Sequence, residues 1–140
     1  MKKSQLNIIK TKLKNISAKK GNIMHGLKKS EKSFKKFGEV YFSYIKKNHI
    51  KGWKKHKKMT LNLVVPLGKV KFVFISENLL TYREEIIGEN QYYRLTVPKN
   101  LWFSFKGISK NKSLVVNIAS IPHDSLETIN LPLKKINYKW

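Results

Sequence analysis

The chain has 140 residues, no cysteine, and 30 basic against 8 acidic side chains, a formal net charge of +22. Its 41% apolar and 11% aromatic content is enough to bury a core and argues against disorder, while the lack of cysteine excludes disulfides, thiolate metal sites and a cysteine nucleophile. No run approaches the roughly 20 apolar residues of a membrane span, and the basic N-terminus lacks the apolar region and cleavage site of a secretory signal, so one soluble, cytoplasmic domain over residues 1–140 is expected.

Residues 1–20 carry a lysine every few positions among Leu6, Ile8, Ile9, Leu13 and Ile16. That pattern suits either a helical stripe or an edge strand or arm, and periodicity does not choose between them. Gly21-Asn22 signals a turn, with Ile23 and Met24 after it as candidate buried positions. The lysine-rich stretch 27–36 reads as a loop or short helix. From Gly38 the period becomes two: Val40, Phe42 and Tyr44 alternate with Glu39, Tyr41, Ser43 and Ile45, a strand with one face on the core. Thr60 to Val65 is β-branched and apolar, ended by Pro66, and reads as the most buried strand. After Leu67-Gly68, the stretch Lys69 to Ile75 sets Lys69 and Lys71 on one face and Val70, Phe72 and Phe74 on the other. Tyr82 to Ile87 and Tyr92 to Val97 flank a turn at Gly88-Glu89-Asn90. Leu101 to Lys106 and Leu114 to Ile118 follow, then a break at Pro122-His123-Asp124 and an irregular tail ending in Trp140. Many short strands, turn residues between them and no long helix predict one all-β sandwich or barrel.

Chemistry is concentrated in Lys51-Gly52-Trp53-Lys54-Lys55-His56-Lys57-Lys58-Met59. Flanking lysines disfavour the charged form of His56, and a neutral imidazole is what a general base requires; the bland alternative is a surface histidine in a basic loop. Lys51, Lys54, Lys57 and Lys58 can meet a diphosphate as point charges, and a desolvated Lys54 can serve as a base. Trp53 and Trp102 can stack on a ring or belong to the core. His123-Asp124 reads as a polar pair or a turn-fixing one. No two of His25, His49, His56 and His123 are spaced one residue apart, and no acidic residue lies between His56 and Glu77, so neither a metal nor another cofactor is expected. The charge concentrates anionic partners, but Arg83 and Arg94 are the only arginines. Sequence-specific reading of nucleic acid is therefore disfavoured, because bidentate contacts favour arginine.

Four segments carry a resemblance: Phe37 to Ser43; Lys51-Gly52-Trp53 through Thr60; Val97-Pro98 through Gly107; and Ile121-Pro122-His123-Asp124. Together they resemble the dTDP-4-dehydrorhamnose 3,5-epimerase-related cupins, over most of the chain from about Asn22. The resemblance implies a jelly-roll β-barrel, a homodimer, and a metal-free site for a nucleotide-linked 4-keto sugar. By this resemblance His56 is the candidate base and Lys54 a base or enolate stabiliser. Lys51, Arg83 and Lys106 are candidate diphosphate contacts, Trp102 a stacking wall, and His123 a further binding residue. The chain departs from the pattern at three places. The epimerases carry Arg-Gly-Leu-His where this chain has Lys51-Gly52-Trp53-Lys54, and the ketoisomerases carry two histidines where it has Lys54 and His56. The tyrosine acid of the epimerases is missing from Leu114–Ile118, and Phe103 stands for a histidine. The resemblance therefore leaves two readings: an epimerase or isomerase acting on a keto sugar for surface polysaccharide synthesis, or a barrel that binds a sugar nucleotide or polyanion without turnover. A lysine-driven nucleic-acid binder ranks third.

Overall fold

A computed structural model describes residues 1–140. Its strands are β1 (Lys2–Lys3), β2 (Ile9–Lys12), β3 (Asn15–Ile16), β4 (Ile23–Met24), β5 (Glu39–Ile45), β6 (Ile50–His56), β7 (Leu61–Leu67), β8 (Lys69–Ile75), β9 (Thr81–Gly88), β10 (Tyr93–Val97), β11 (Trp102–Gly107), β12 (Ser113–Ala119) and β13 (Thr128–Asn130). One sheet has the order β1-β9-β8-β11-β6-β13 and the other β2-β10-β7-β12-β5, with β3 and β4 as a small separate hairpin. All pairings but the short β1–β9 contact and one isolated bridge are antiparallel. The fold is the expected all-β jelly roll. The N-terminal segment contains no helix; β1 and β2 are edge strands of the two sheets.

Alternation does most of the work of assembly. Leu61, Leu63 and Val65 of β7 meet Val70, Phe72 and Phe74 of β8 and Phe103 and Phe105 of β11 in a core of 16 buried residues between the sheets. Burying each of these large side chains contributes about 1.5–3 kcal/mol before entropy is counted. β7 and β8 bury residues on both faces, because each sheet is also covered from outside. On the six-stranded sheet, Trp53, Val73, Ile75 and Trp102 form a second cluster sealed by the C-terminal tail through Ile136, Tyr138 and Trp140. The Trp53 indole N–H donates to the Leu133 carbonyl at 3.2 Å. On the five-stranded sheet, Leu13, Val64 and Tyr92 pack with Met24 and Val116. Arg94, fully buried, donates to the Gly26 carbonyl at 2.7 Å and pairs with Glu31 at 2.5 Å, tying the 26–31 segment over the sheet.

Two sequence expectations need correction. Ile23 is exposed, because β4 pairs only with the short β3 on the surface. The Pro66 stop is passed by one residue, β7 continuing to Leu67. The lysine-rich stretch before β7, to which the sequence pattern assigns no element, is strand β6, between β11 and β13. In β5 the outward row is Val40, Phe42 and Tyr44, and the inward row is Glu39, Tyr41, Ser43 and Ile45.

Candidate active site

Strand β6 owes its functional face to an irregularity. Opposite β11 the register runs Lys55↔Trp102, Lys54↔Phe103, then Gly52↔Ser104 and Lys51↔Phe105, so Trp53 is an extra residue. A one-residue bulge reverses side-chain parity. Without it, Lys51 and Lys54 would face opposite ways; with it, Lys51, Lys54 and His56 all line one cavity. Gly52 makes this possible. Its φ is +135°, and a Cβ there would sit 2.6 Å from the Ser104 side chain.

The cavity has a volume of about 210 Å³. Lys51, Lys54 and His56 come from β6, Tyr41 and Ser43 from β5, Asn117 and Val115 from β12, Phe103 and Phe105 from β11, and Leu63 from β7. Its interior is thus apolar toward the core, with a polar rim. The Lys51 amine donates to Ser43 Oγ at 2.9 Å and to the Tyr44 carbonyl at 2.6 Å, bracing β6 against β5.

His56 is buried and stacks on Phe103, with ring centroids 5.9 Å apart. Its Nδ1 bonds the Glu127 carboxylate. A carboxylate only accepts, so Nδ1 carries the hydrogen and Nε2 keeps its lone pair. Glu127 is itself fixed by the backbone N–H groups of Lys58 (3.1 Å) and Met59 (3.3 Å). Burial pushes the His56 pKa below its ordinary value; the Glu127 hydrogen bond and charge oppose this, and the Lys54 and His123 charges add to it. For Glu127, burial raises the pKa, but the bonds from His56, Lys58 and Met59 outweigh it and the net shift is downward. The pair is therefore a neutral imidazole on an ionised carboxylate, the arrangement of a general base with a positioning acid.

Tyr41 lies cross-strand from Asn117. Its hydroxyl contacts Met59 Sδ at 3.3 Å. Burial, followed by the Glu39 charge, raises its pKa, so the phenol holds its proton at neutral pH. Asn117 is buried, and its Oδ1 has no hydrogen-bond partner.

The other sequence candidates lie elsewhere. Arg83 pairs with Glu85 at 2.7 Å and donates to the Gln5 and Ile8 carbonyls at 2.9 and 2.6 Å, so it clamps the N-terminal arm. Trp102 points to the opposite face of the sheet by strand parity and sits under the Lys55 amine, 5.0 Å from its ring centroid. Lys106 shares that outward row, since the inward row of β11 is Phe103 and Phe105. His123 is exposed on the β12–β13 connection, its backbone N–H bonded to Glu39 at 2.8 Å; it is not in the cavity wall, although its charge reaches His56. Trp53 is core. No three His, Asp or Glu side chains converge to hold a metal ion. Sequence reasoning missed Glu127, 71 residues from His56, and Tyr41. The only signal for Tyr41 was its place in the period-two row opposite Val40 and Phe42.

A jelly roll that holds a histidine–carboxylate pair and lysines at one cavity is a cupin-like barrel with a candidate acid–base site. It superposes on a dTDP sugar isomerase from Desulfovibrio desulfuricans G20 with a TM-score of 0.90 and 27% identity, over 96% of this chain and 90% of that one. Its fold is shared with dTDP-4-dehydrorhamnose 3,5-epimerase from Bacillus anthracis str. Ames, described with TDP and PPi bound (TM-score 0.81, 15% identity, 99% and 87% coverage). It is also shared with ChmJ, a 3'-monoepimerase from Streptomyces bikiniensis described in complex with dTDP-quinovose (0.83, 10%, 100% and 78%). No curated protein sequence matches the chain. The family model described as FdtA: WxcM-like, C-terminal, matches residues 6–135, and the chain belongs to that family.

Proposed function

We propose that this protein is an isomerase- or epimerase-type enzyme acting on a nucleotide-linked 4-keto-6-deoxy sugar, in the cytoplasmic supply of sugars for surface polysaccharide. The observation that carries the reading is the His56–Glu127 pair on the wall of a cavity that also holds two lysines. His56 Nε2 removes the proton alpha to the carbonyl. Glu127 keeps the imidazole in the required tautomer and stabilises the imidazolium as it forms. Lys54 faces the oxygen on which enolate charge develops, the place where a fixed cation lowers the barrier most. The Tyr41 phenol is a proton donor for the return step, taking the part of the tyrosine absent from β12. Lys51, at the more exposed end of the β6 row, meets the diphosphate through the one N–H that its bonds to Ser43 and Tyr44 leave free; Arg83, Trp102, Lys106 and His123 have no part in this cavity. A homodimer is part of the same reading, with the outward row of β5 as its contact.

The test is solvent deuterium exchange into a dTDP-4-keto-6-deoxyhexose. Wild-type protein is expected to exchange the alpha proton, and His56→Ala to lose about 10²–10⁴ in rate, the range for a general base. No exchange with any such sugar would sink the catalytic claim. A second reading, binding without turnover, is favoured by Lys54 and Phe103, which stand where the resemblance expects histidines. Saturable dTDP-sugar binding with no exchange would establish it.

A further inference from the structure

The three lysines of β6 are not chemically equivalent. Lys51 Nζ is committed to Ser43 and the Tyr44 carbonyl. Lys55 Nζ is committed to Glu77 at 2.6 Å and to the face of Trp102. Lys54 Nζ makes neither a hydrogen bond nor an ion pair, and Lys54 is half-buried in the same cavity wall as His56. Of the carboxylates close to that wall, Glu127 is already occupied by His56 and two backbone N–H groups, and Glu39 accepts from the His123 backbone N–H. Leu63, Phe103, Phe105 and Val115 line the same space. An uncommitted primary amine beside a proton-accepting imidazole, in an apolar cavity, is the constellation that captures carbonyl compounds covalently.

We propose that Lys54 is a covalent catalytic residue, forming an iminium ion between its Nζ and the keto carbon of the sugar. The proposal rests on the keto-sugar reading above and deepens it, replacing the electrostatic part given there to Lys54 with a covalent one. His56 Nε2 takes a proton from the Lys54 ammonium. The freed lone pair forms the C–N bond while the C=O π pair moves to oxygen, which takes the proton from the imidazolium. His56 then removes one nitrogen proton and delivers it to the hydroxyl. Water departs as the nitrogen lone pair closes the C=N bond. The balance is ketone plus alkylammonium giving iminium plus water, with His56 unchanged. The iminium acidifies the adjacent C–H. His56 takes that proton, the C–H pair becomes the enamine double bond, and the proton returns to the same carbon from His56 or from Tyr41, the imidazolium then restoring the phenol. Hydrolysis releases the ketone.

This route has a consequence for reaction type. A carbon alpha to the iminium can invert and the sugar still be released. Moving the ketone to the neighbouring carbon would instead leave nitrogen on the original carbon as a secondary amine that water does not remove. Lys54 therefore favours epimerisation over keto transfer.

The experiment uses full-length protein, a dTDP-4-keto-6-deoxyhexose and cyanoborohydride, which reduces iminium ions, with peptide mapping of the adduct and parallel deuterium exchange. The expected result is one sugar nucleotide per chain, attached at Lys54, and no adduct in Lys54→Arg that melts like wild type. Exchange without an adduct at Lys54 overturns the iminium and leaves the keto-sugar reading standing. An adduct without exchange supports capture and sinks that reading. Neither signal overturns both. Hydroxyacetone probes the amine independently of the nucleotide: Lys54 is expected to label about tenfold faster than Lys51 or Lys55, equivalent to about 1.4 kcal/mol of barrier. Equal labelling of the three lysines counts against the proposal.

Discussion

At the scale of single residues, Glu127 decides how His56 behaves. Its hydrogen bond and charge pull the His56 pKa up against the larger effect of burial. Glu127→Gln removes the charge while keeping an acceptor. The His56 pKa then falls further, and the acid limb of the pH profile of kcat/KM moves to lower pH, with a reduced plateau because the base is weaker. An unshifted limb would remove His56 as the titrating base. Stability follows the same linkage. The folded pKa of His56 lies below the unfolded value of about 6.5. No penalty exists above that value, and stability is lost as pH drops from about 6.5 toward the folded pKa, where the unfolded chain binds the extra proton. The depressed pKa of Glu127 adds a second loss at lower pH, as it becomes protonated. Thermal melts across this range check the sign. His56 was legible as a candidate because the residue type and its lysine neighbours advertise a titratable group. Glu127 was not, because nothing local marks a carboxylate brought in from 71 residues away by the β6–β13 pairing.

At the scale of elements, the site depends on the bulge in β6. Gly52→Ala forces a Cβ to within 2.6 Å of Ser104 at a φ of +135°, a strain on the order of 1–3 kcal/mol. The expected outcome is a lower denaturation midpoint, together with weaker binding of nucleotide sugar as Lys51 rotates off the cavity. Unchanged binding in the folded variant would mean that the bulge does not set the Lys51 position. Strand β6 shows no period-two pattern in its sequence, because the Trp53 bulge breaks the alternation and lysines occupy its rows. Lys55 is 8% exposed, made tolerable by Glu77 and the Trp102 face. Strand β5 was legible in period, but its facing was not. Val40, Phe42 and Tyr44 look like the core row by hydropathy, yet the inward row carries Tyr41 and Ser43 because that row borders the cavity rather than the centre of the core. Sequence pattern finds strands; the polarity of a cavity wall can invert which face of one looks buried.

At the scale of the whole molecule, two features oppose each other. The outward row of β5 leaves Phe42 65% exposed beside Val40 and Tyr44 on an edge strand, the kind of surface that is normally covered. The formal charge of +22 makes two copies repel. A dimer through β5 must therefore strengthen as salt rises, since screening relieves the repulsion over a Debye length of about 10 Å at 0.1 M and leaves apolar burial intact. Nucleic-acid binding would run the other way, because counterion release makes its affinity fall with salt. Sedimentation velocity over about 0.02–0.5 M salt, spanning both sides of that screening length, separates the two. The expected result is monomer giving way to dimer as salt increases, with Phe42→Lys remaining monomeric throughout while keeping its deuterium-exchange activity. A dimer indifferent to Phe42→Lys would place the contact elsewhere on the molecule. An affinity for nucleic acid that collapses with salt, with no change in protein mass, would instead assign the lysines to a polyanion and leave the β5 row without a partner.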